Sequence, residues 1–241
     1  MTASVRAIVF VAMPDEEAPF LEKAARVDDA VQVGNSHQRH IEFGGYEILL
    51  VRTGIGLVNA SSAATSAILG APEAAVLISA GSAGGLGPEV RVGDVVIGEQ
   101  YINVDADARA FGYVLGQVPR MPASYAVHGP VLDVAAASTA TEHLAGRQDA
   151  RLLSGLLVSS YAFVSPERSR LILQDFPAAL ATDMETSALA QVAHTFDRPF
   201  VSVRGISDLC GPTGDEFLTH IDDAADRSAE VVLALLPGLL A

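Results

Sequence analysis

Little of this chain is basic, and one residue alone is a cysteine. Fifteen Lys+Arg stand against 29 Asp+Glu in 241 residues, a formal net charge of −14. A surface of that sign repels nucleic acid and anionic membranes unless a basic patch intervenes, and the sequence holds none, so neither is expected as a partner. Cys210 has no second cysteine to pair with, which excludes an internal disulfide and fits a reducing, cytoplasmic setting. Long apolar runs are missing too. The tail from Val231 to Ala241 has eleven residues and contains Pro237, well short of the roughly 20 that cross a bilayer. Ala7 to Met13 is apolar but runs into Asp15, Glu16 and Glu17 with no small-residue cleavage site, so no secretory signal is expected.

Signatures of several chemistries are absent as well. The six histidines include no helical pair with an intervening Glu, and a lone cysteine excludes a multi-thiolate site, so no metal is expected. His37 and His40 follow the turn-like Gly34-Asn35-Ser36, and on a strand they would point to opposite faces. No Gly-x-Ser-x-Gly elbow precedes a helix. Gly81-Ser82-Ala83-Gly84-Gly85 lacks the spacing of a dinucleotide fingerprint and reads by itself as a tight turn at a strand end.

What is present is a packing composition: 50% hydrophobic, 18% charged and 6% aromatic. That apolar content suffices to offset ordering entropy, and the length suits one domain over residues 1–241. Strands are expected over Val5 to Val11, on both sides of Gly44-Gly45 between His40 and Arg52, and over Ala74 to Ala80 and Val92 to Ile97 around a loop from Gly81 to Gly87. Further strands are expected over Leu152 to Ser159 and Phe200 to Ile206. Helices are expected from Pro14 to about Ala25, and over Leu57 to Leu69, Val131 to Leu144, Pro166 to Gln174, Met184 to Thr195 and Glu216 to Leu236. This alternation predicts an α/β fold of three α/β/α layers around a twisted, mixed but largely parallel sheet. Val104 to Tyr125 has no clear period and carries Phe111, Tyr113 and Pro119; long irregular segments of that kind are often binding loops.

Ligands of open α/β sheets sit beyond the carboxyl ends of strands. Glu16, Ser82 and Asp208 each follow a strand, and Glu185 opens a helix after the short run from Ala178 to Thr182. Three carboxylates and a hydroxyl in one cleft is one reading of that placement. The other is mundane: Glu16 and Glu185 as solvated helix-start acids and Asp208 as an N-cap.

Longer motifs favour the cleft. Gly81-Ser82-Ala83-Gly84-Gly85, Val92-Gly93-Asp94-Val95-Val96 and Ala110-Phe111-Gly112-Tyr113 with Gly116-Gln117 and Pro119 occur in this order. Ala12-Met13 with Glu16, Thr53-Gly54-Ile55-Gly56, Asp183-Met184-Glu185 and Arg204-Gly205-Ile206-Ser207-Asp208 join them. Together they resemble the 5′-methylthioadenosine/S-adenosylhomocysteine nucleosidases along nearly the whole chain. The glycine run and the Met-Glu pair are shared with the wider nucleoside phosphorylase superfamily; the Phe-Gly-Tyr segment is more specific to the nucleosidases.

The resemblance implies a nucleoside phosphorylase-like fold and hydrolysis of an N-glycosidic bond without a cofactor. Asp208 matches the acid that protonates N7 of the departing adenine, and Glu16 the group that positions and deprotonates water. Glu185 matches the ribose clamp, whose charge favours a cationic transition state. By the same resemblance Ser82 and Arg204 hold the water and carboxylates, Ser207 lies near the acid, Phe163 and Val164 read the adenine edge through their backbone, and Met184 lies against the sugar. Ile55 with Phe111, Tyr113 and Pro119 matches the slot for the 5′-alkylthio group, the last three at the partner subunit, which implies a homodimer with shared sites.

Three departures stand out. Ser159-Ser160-Tyr161 replaces the family's usual Ser-Gly-Asp, and Asp183 is one methylene shorter than the usual Glu. The loop between Asp208 and Asp215 looks about four residues shorter than usual. Rival readings are a phosphorolytic nucleoside phosphorylase, a futalosine-type nucleosidase, and a non-catalytic nucleoside-binding protein. Phosphorolysis needs cations to hold phosphate, whereas Pro14-Asp15-Glu16-Glu17 follows the first strand. A protein reduced to binding should have lost one of the three carboxylates, and all are present.

Overall fold

The computed structural model describes residues 4–127, 151–211 and 215–241, the last stretch with side chains from Leu218 onward. Val5–Val11 forms β1, and Pro14–Lys23 forms α1, opened by proline and three acids as its dipole favours. Two short strands with no sequence signal, β2 (Arg26–Val27) and β3 (Val31–Val33), precede the hairpin β4 (Ser36–Phe43) and β5 (Tyr46–Arg52). Its turn residues Gly44 and Gly45 have φ of 58° and 83°, the left-handed pair that a two-residue hairpin turn requires. Then come α2 (Leu57–Gly70), β6 (Val76–Gly85), β7 (Val95–Asn103) and, after a largely irregular segment, β8 (Tyr125–Ala126). The helix expected over Val131 to Leu144 lies outside the described residues, as do His128 and His143. β9 (Leu152–Ser159), α3 (Pro166–Asp175), β10 (Ala179–Asp183), α4 (Thr186–Thr195), β11 (Phe200–Asp208) and α5 (Asp215–Leu239) complete the order.

The strands form one sheet in the order β10-β9-β7-β11-β6-β1-β5-β4-β2. Its centre, β5-β1-β6-β11, is parallel, while β7 reverses against β11 and the β4 side is antiparallel. Alternate residues of β1 separate the two cores, as a strand covered on both faces demands. Ile8 and Phe10 pack with the alanine-rich faces of α2 and α4, whereas Ala7, Val9 and Val11 pack with Phe20 of α1 and Leu235 of α5. These are the three layers. Among the described residues no helix is long and apolar enough to cross a membrane.

The expected loop at residues 81–87 is instead largely strand. β6 runs on to Gly85, paired with β11 along Gly81–Gly84 and with β10 at Gly84 and Gly85, so β10 closes back onto β6. Three strands crowd there. A Cβ on Gly84 would stand 2.8 Å from the Cys210 sulfur, which is why the run is poor in side chains yet fully paired. β7 correspondingly begins at Val95, after a turn in which Asp94 Oδ2 accepts the Arg91 N–H at 2.9 Å.

The tightest approach in the sheet generates a prediction. A Cβ on Gly205 of β11 would lie 2.1 Å from the Ala224 carbonyl oxygen of α5, a backbone atom that cannot step aside. Gly205→Ala is expected to cost about 3 kcal/mol of stability or to prevent folding. Urea unfolding measures this, and an unchanged midpoint would contradict the packing described.

Candidate active site

β1, β6, β10 and β11 send their carboxyl ends to one cleft, which encloses about 170 Å³. Glu16 stands in the first turn of α1 and folds back toward β1. Its Oε2 accepts from the Ala12 and Met13 N–H groups at 2.7 and 3.3 Å, and its Oε1 from the Ser82 N–H and hydroxyl at 2.8 and 2.9 Å. It is 2% exposed, so it is no solvated helix-start acid. Glycine at 81 permits this fit: φ is +140°, and a Cβ there would lie 2.4 Å from Glu16 Oε1.

Asp208 is the last residue of β11 rather than an N-cap. The Ser207 hydroxyl donates to its Oδ2 at 2.9 Å and the Cys210 N–H to its Oδ1 at 2.8 Å. Glu185 occupies the N-cap position of α4 but does not cap it. Its Oε1 instead accepts the Gly56 N–H at 2.8 Å, from the loop before α2. Burial pushes the Glu185 carboxyl up to about 8, with the charges of Asp183 and Glu16 adding and that of Arg204 opposing.

Arg204 lies beneath the cleft and does not line it. It pairs with Asp183 Oδ2 at 2.8 Å and donates to Ser79 and Thr186 hydroxyls at 2.6 and 3.0 Å. The ion pair and the hydroxyl acceptors together satisfy a guanidinium that is 1% exposed. Asp183 also accepts the Ser159 hydroxyl at 2.6 Å and the Thr186 N–H at 3.2 Å, so the shorter acid is fully engaged.

The cleft gathers Glu16, Ser82, Glu185, Ser207 and Asp208 on polar walls, and Ile55, Phe163, Val164 and Met184 on apolar ones. Phe111, Tyr113 and Pro119 are not brought to it; Phe111 is 83% exposed at the end of a single 3₁₀ turn, Arg109–Phe111. Their absence from their own chain's cleft is what the expectation of a partner-donated slot requires. Thr182 and Cys210 do line the cleft, unanticipated. Cys210 lies two positions from Asp208, a signal that was available; Thr182 has no local mark. Among the described residues, no group of three or more His, Cys, Asp or Glu is arranged to hold a metal ion. His37 and His40 sit on β4, and His40 Nδ1 faces Glu47 at 3.1 Å.

Comparison with known proteins agrees with this arrangement. Residues 6–237 match the Phosphorylase superfamily. A 5′-methylthioadenosine/S-adenosylhomocysteine nucleosidase of Pseudoalteromonas translucida is 40% identical over 202 residues, covering 83% of each chain. The crystal structure of such a nucleosidase from Neisseria meningitidis, in complex with methylthio-immucillin-A, superposes with a TM-score of 0.87 at 35% identity, covering 97% of this chain and 99% of that one. One from Colwellia psychrerythraea, in complex with adenine, gives 0.90 at 28% identity over 98% and 96%.

The raised Glu185 has a measurable consequence. The folded chain holds this proton to about 8, the unfolded chain only to its ordinary 4.5. Its contribution to stability is thus complete below 4.5 and is lost as pH rises through about 8. Unfolding midpoints across that window are expected to fall with pH in the natural protein and to fall less in Glu185→Gln. Equal slopes would contradict the shift.

Proposed function

This chain belongs to the 5′-methylthioadenosine/S-adenosylhomocysteine nucleosidase family of the Phosphorylase superfamily, and we propose that Glu16, Glu185 and Asp208 carry that family's hydrolysis here. The reaction cleaves the N-glycosidic bond of 5′-methylthioadenosine or S-adenosylhomocysteine with water, giving adenine and the 5-thioribose product. One observation carries the assignment of roles: three carboxylates from three separate elements are buried in one cleft, each on different partners.

Breaking the bond leaves a ribosyl cation and a poor leaving group, the adenine anion. Asp208, at the end of β11, donates a proton to base N7, and the Ser207 hydroxyl orients it. Glu16 takes the proton of the attacking water. Its four donors, two of them from Ser82, hold it as an oriented acceptor. Glu185 accepts the sugar hydroxyls. It holds a proton near neutral pH in the free protein; release of that proton to solvent as substrate binds leaves a carboxylate, whose contact strengthens as positive charge grows in the sugar. Phe163 and Val164 offer backbone to the base, Met184 packs on the sugar, and Ile55 begins the 5′ slot. No cofactor enters.

Water rather than phosphate as nucleophile follows from charge. Arg204 is consumed by Asp183, Ser79 and Thr186, and Glu16 stands in the first turn of α1, just past the end of β1. A phosphate mono- or dianion there would meet carboxylate, not guanidinium. The homodimer and its shared slot are part of the same proposal. Phe111 is too exposed to serve its own chain, and burial against a partner's Ile55 side removes that apolar surface from water. The single domain over 1–241 and a reducing, cytoplasmic setting complete it.

Adenine release from 5′-methylthioadenosine is expected to proceed equally with and without phosphate, with free 5-methylthioribose as co-product; a ribose-1-phosphate product overturns the hydrolytic reading. Asp208→Asn and Glu16→Gln should each lower turnover at least about a hundredfold while the fold persists, the lower end of general acid–base contributions. Near-natural turnover in either removes that residue from the mechanism. The apolar slot should favour 5′-methylthioadenosine over adenosine by about ten- to two-hundredfold in kcat/KM. Phe111→Ala should shrink that preference, and sedimentation should give about twice 25.0 kDa. A fully active monomer contradicts the shared slot.

A further inference from the structure

Ser160 and Tyr161, which replace the family's usual glycine and acid, stand at a junction of three elements. Asp105, two residues past β7, reaches the chain just beyond β9: its Oδ2 accepts the Tyr161 N–H at 2.6 Å and the Ser160 hydroxyl at 3.2 Å. Arg168, in the first turn of α3, pairs with Asp105 and donates to the Ser160 hydroxyl at 2.9 Å. That hydroxyl also accepts the Ala162 N–H at 3.1 Å, and the Ser160 N–H donates to the Asp183 carbonyl at 3.0 Å. Ser160 is fully buried, so this knot has little freedom.

From the knot hang residues 162–164, which line the cleft. Tyr161 turns the other way. A Cβ on Gly56 would stand 3.6 Å from its ring, so the ring packs over the residue whose N–H holds Glu185. The two sides of the cleft are thereby joined outside it.

We infer that Asp105 and Arg168 are positioning residues that set substrate affinity by holding residues 160–164 against the base, an inference that rests on Phe163 and Val164 reading the base edge. An ion pair with side chains 27% and 39% exposed adds little to stability. What it supplies is geometry. Bonds to the base edge form alike in ground and transition states, so displacing them weakens substrate binding without slowing the chemical step. Asp208 is held independently, by Ser207 and the Cys210 N–H.

The test is a kinetic split. Asp105→Ala and Arg168→Ala should raise KM for 5′-methylthioadenosine about tenfold with kcat within about threefold, and Arg168→Lys should recover most of the loss. A substrate with C–H in place of base N1 separates the inference from its premise. The natural enzyme should bind it more weakly than the parent substrate, and that discrimination should shrink in both alanine variants. If the natural enzyme does not discriminate, the base-reading premise fails and the inference with it. If it discriminates and the variants do so equally with unmoved KM, the positioning role alone is overturned. A joint fall of kcat and melting temperature at constant KM also overturns it.

Discussion

Four buried carboxylates at one cleft, three of them around a single buried guanidinium, impose the constraint on which the rest of this structure depends. Glu16, Asp183, Glu185 and Asp208 are each 8% exposed or less, and Arg204 is 1% exposed. Removing a charge from water costs several kcal/mol, so each acid must be compensated locally or give up its charge. Each does so differently. Asp183 takes the ion pair and Glu16 takes four donors, while Asp208, the proposed proton donor, is fixed by a hydroxyl and a backbone N–H. Glu185, with a single backbone donor described, is pushed toward its neutral form.

The sheet is built to supply those donors. Glu16 needs β1 to end beside β6, because its carboxylate spans the Ala12 N–H and Ser82. Arg204 needs β11 parallel to β6, so that its side chain reaches Ser79 from the neighbouring strand. Closure of β10 onto β6 brings Asp183 to Arg204 and places Glu185 across from Gly56. Glycines at 81, 84 and 205 are the geometric condition for this crowding, since a side chain at any of them would strike a carboxylate, a thiol or a carbonyl. The same economy sets the chemistry: a site whose one deep cation is already neutralised suits a neutral nucleophile and a cationic sugar.

In the proposed mechanism, affinity and rate are served by different parts of the chain. The groups proposed to move protons sit on strand and helix ends with short, multiply determined contacts, as precise positioning demands. The residues proposed to recognise the base lie on the connecting segment 160–164, whose geometry is set by cross-links to Asp105 and Arg168.

Much of the architecture was legible because burial of one face leaves a local period. β1, β5, β9 and the helices α1 to α5 lie within a few residues of where their patterns put them, and Glu16, Ser82, Glu185 and Asp208 were marked by their places at strand and helix ends. The glycine run was misread as a loop because its regularity comes from pairing with β10 and β11, not from its own residues. Likewise the Arg204–Asp183 pair, the pocket positions of Thr182 and Cys210, and the Asp105–Arg168 pair 63 residues apart carry no local period. Phe111, Tyr113 and Pro119 show the limit from the other side: their spacing was plain, yet one chain does not bring them to the cleft. Local sequence decides which face of an element is apolar; which distant polar groups meet is decided only when the strands pack, because each buried charge must then find its partner in space.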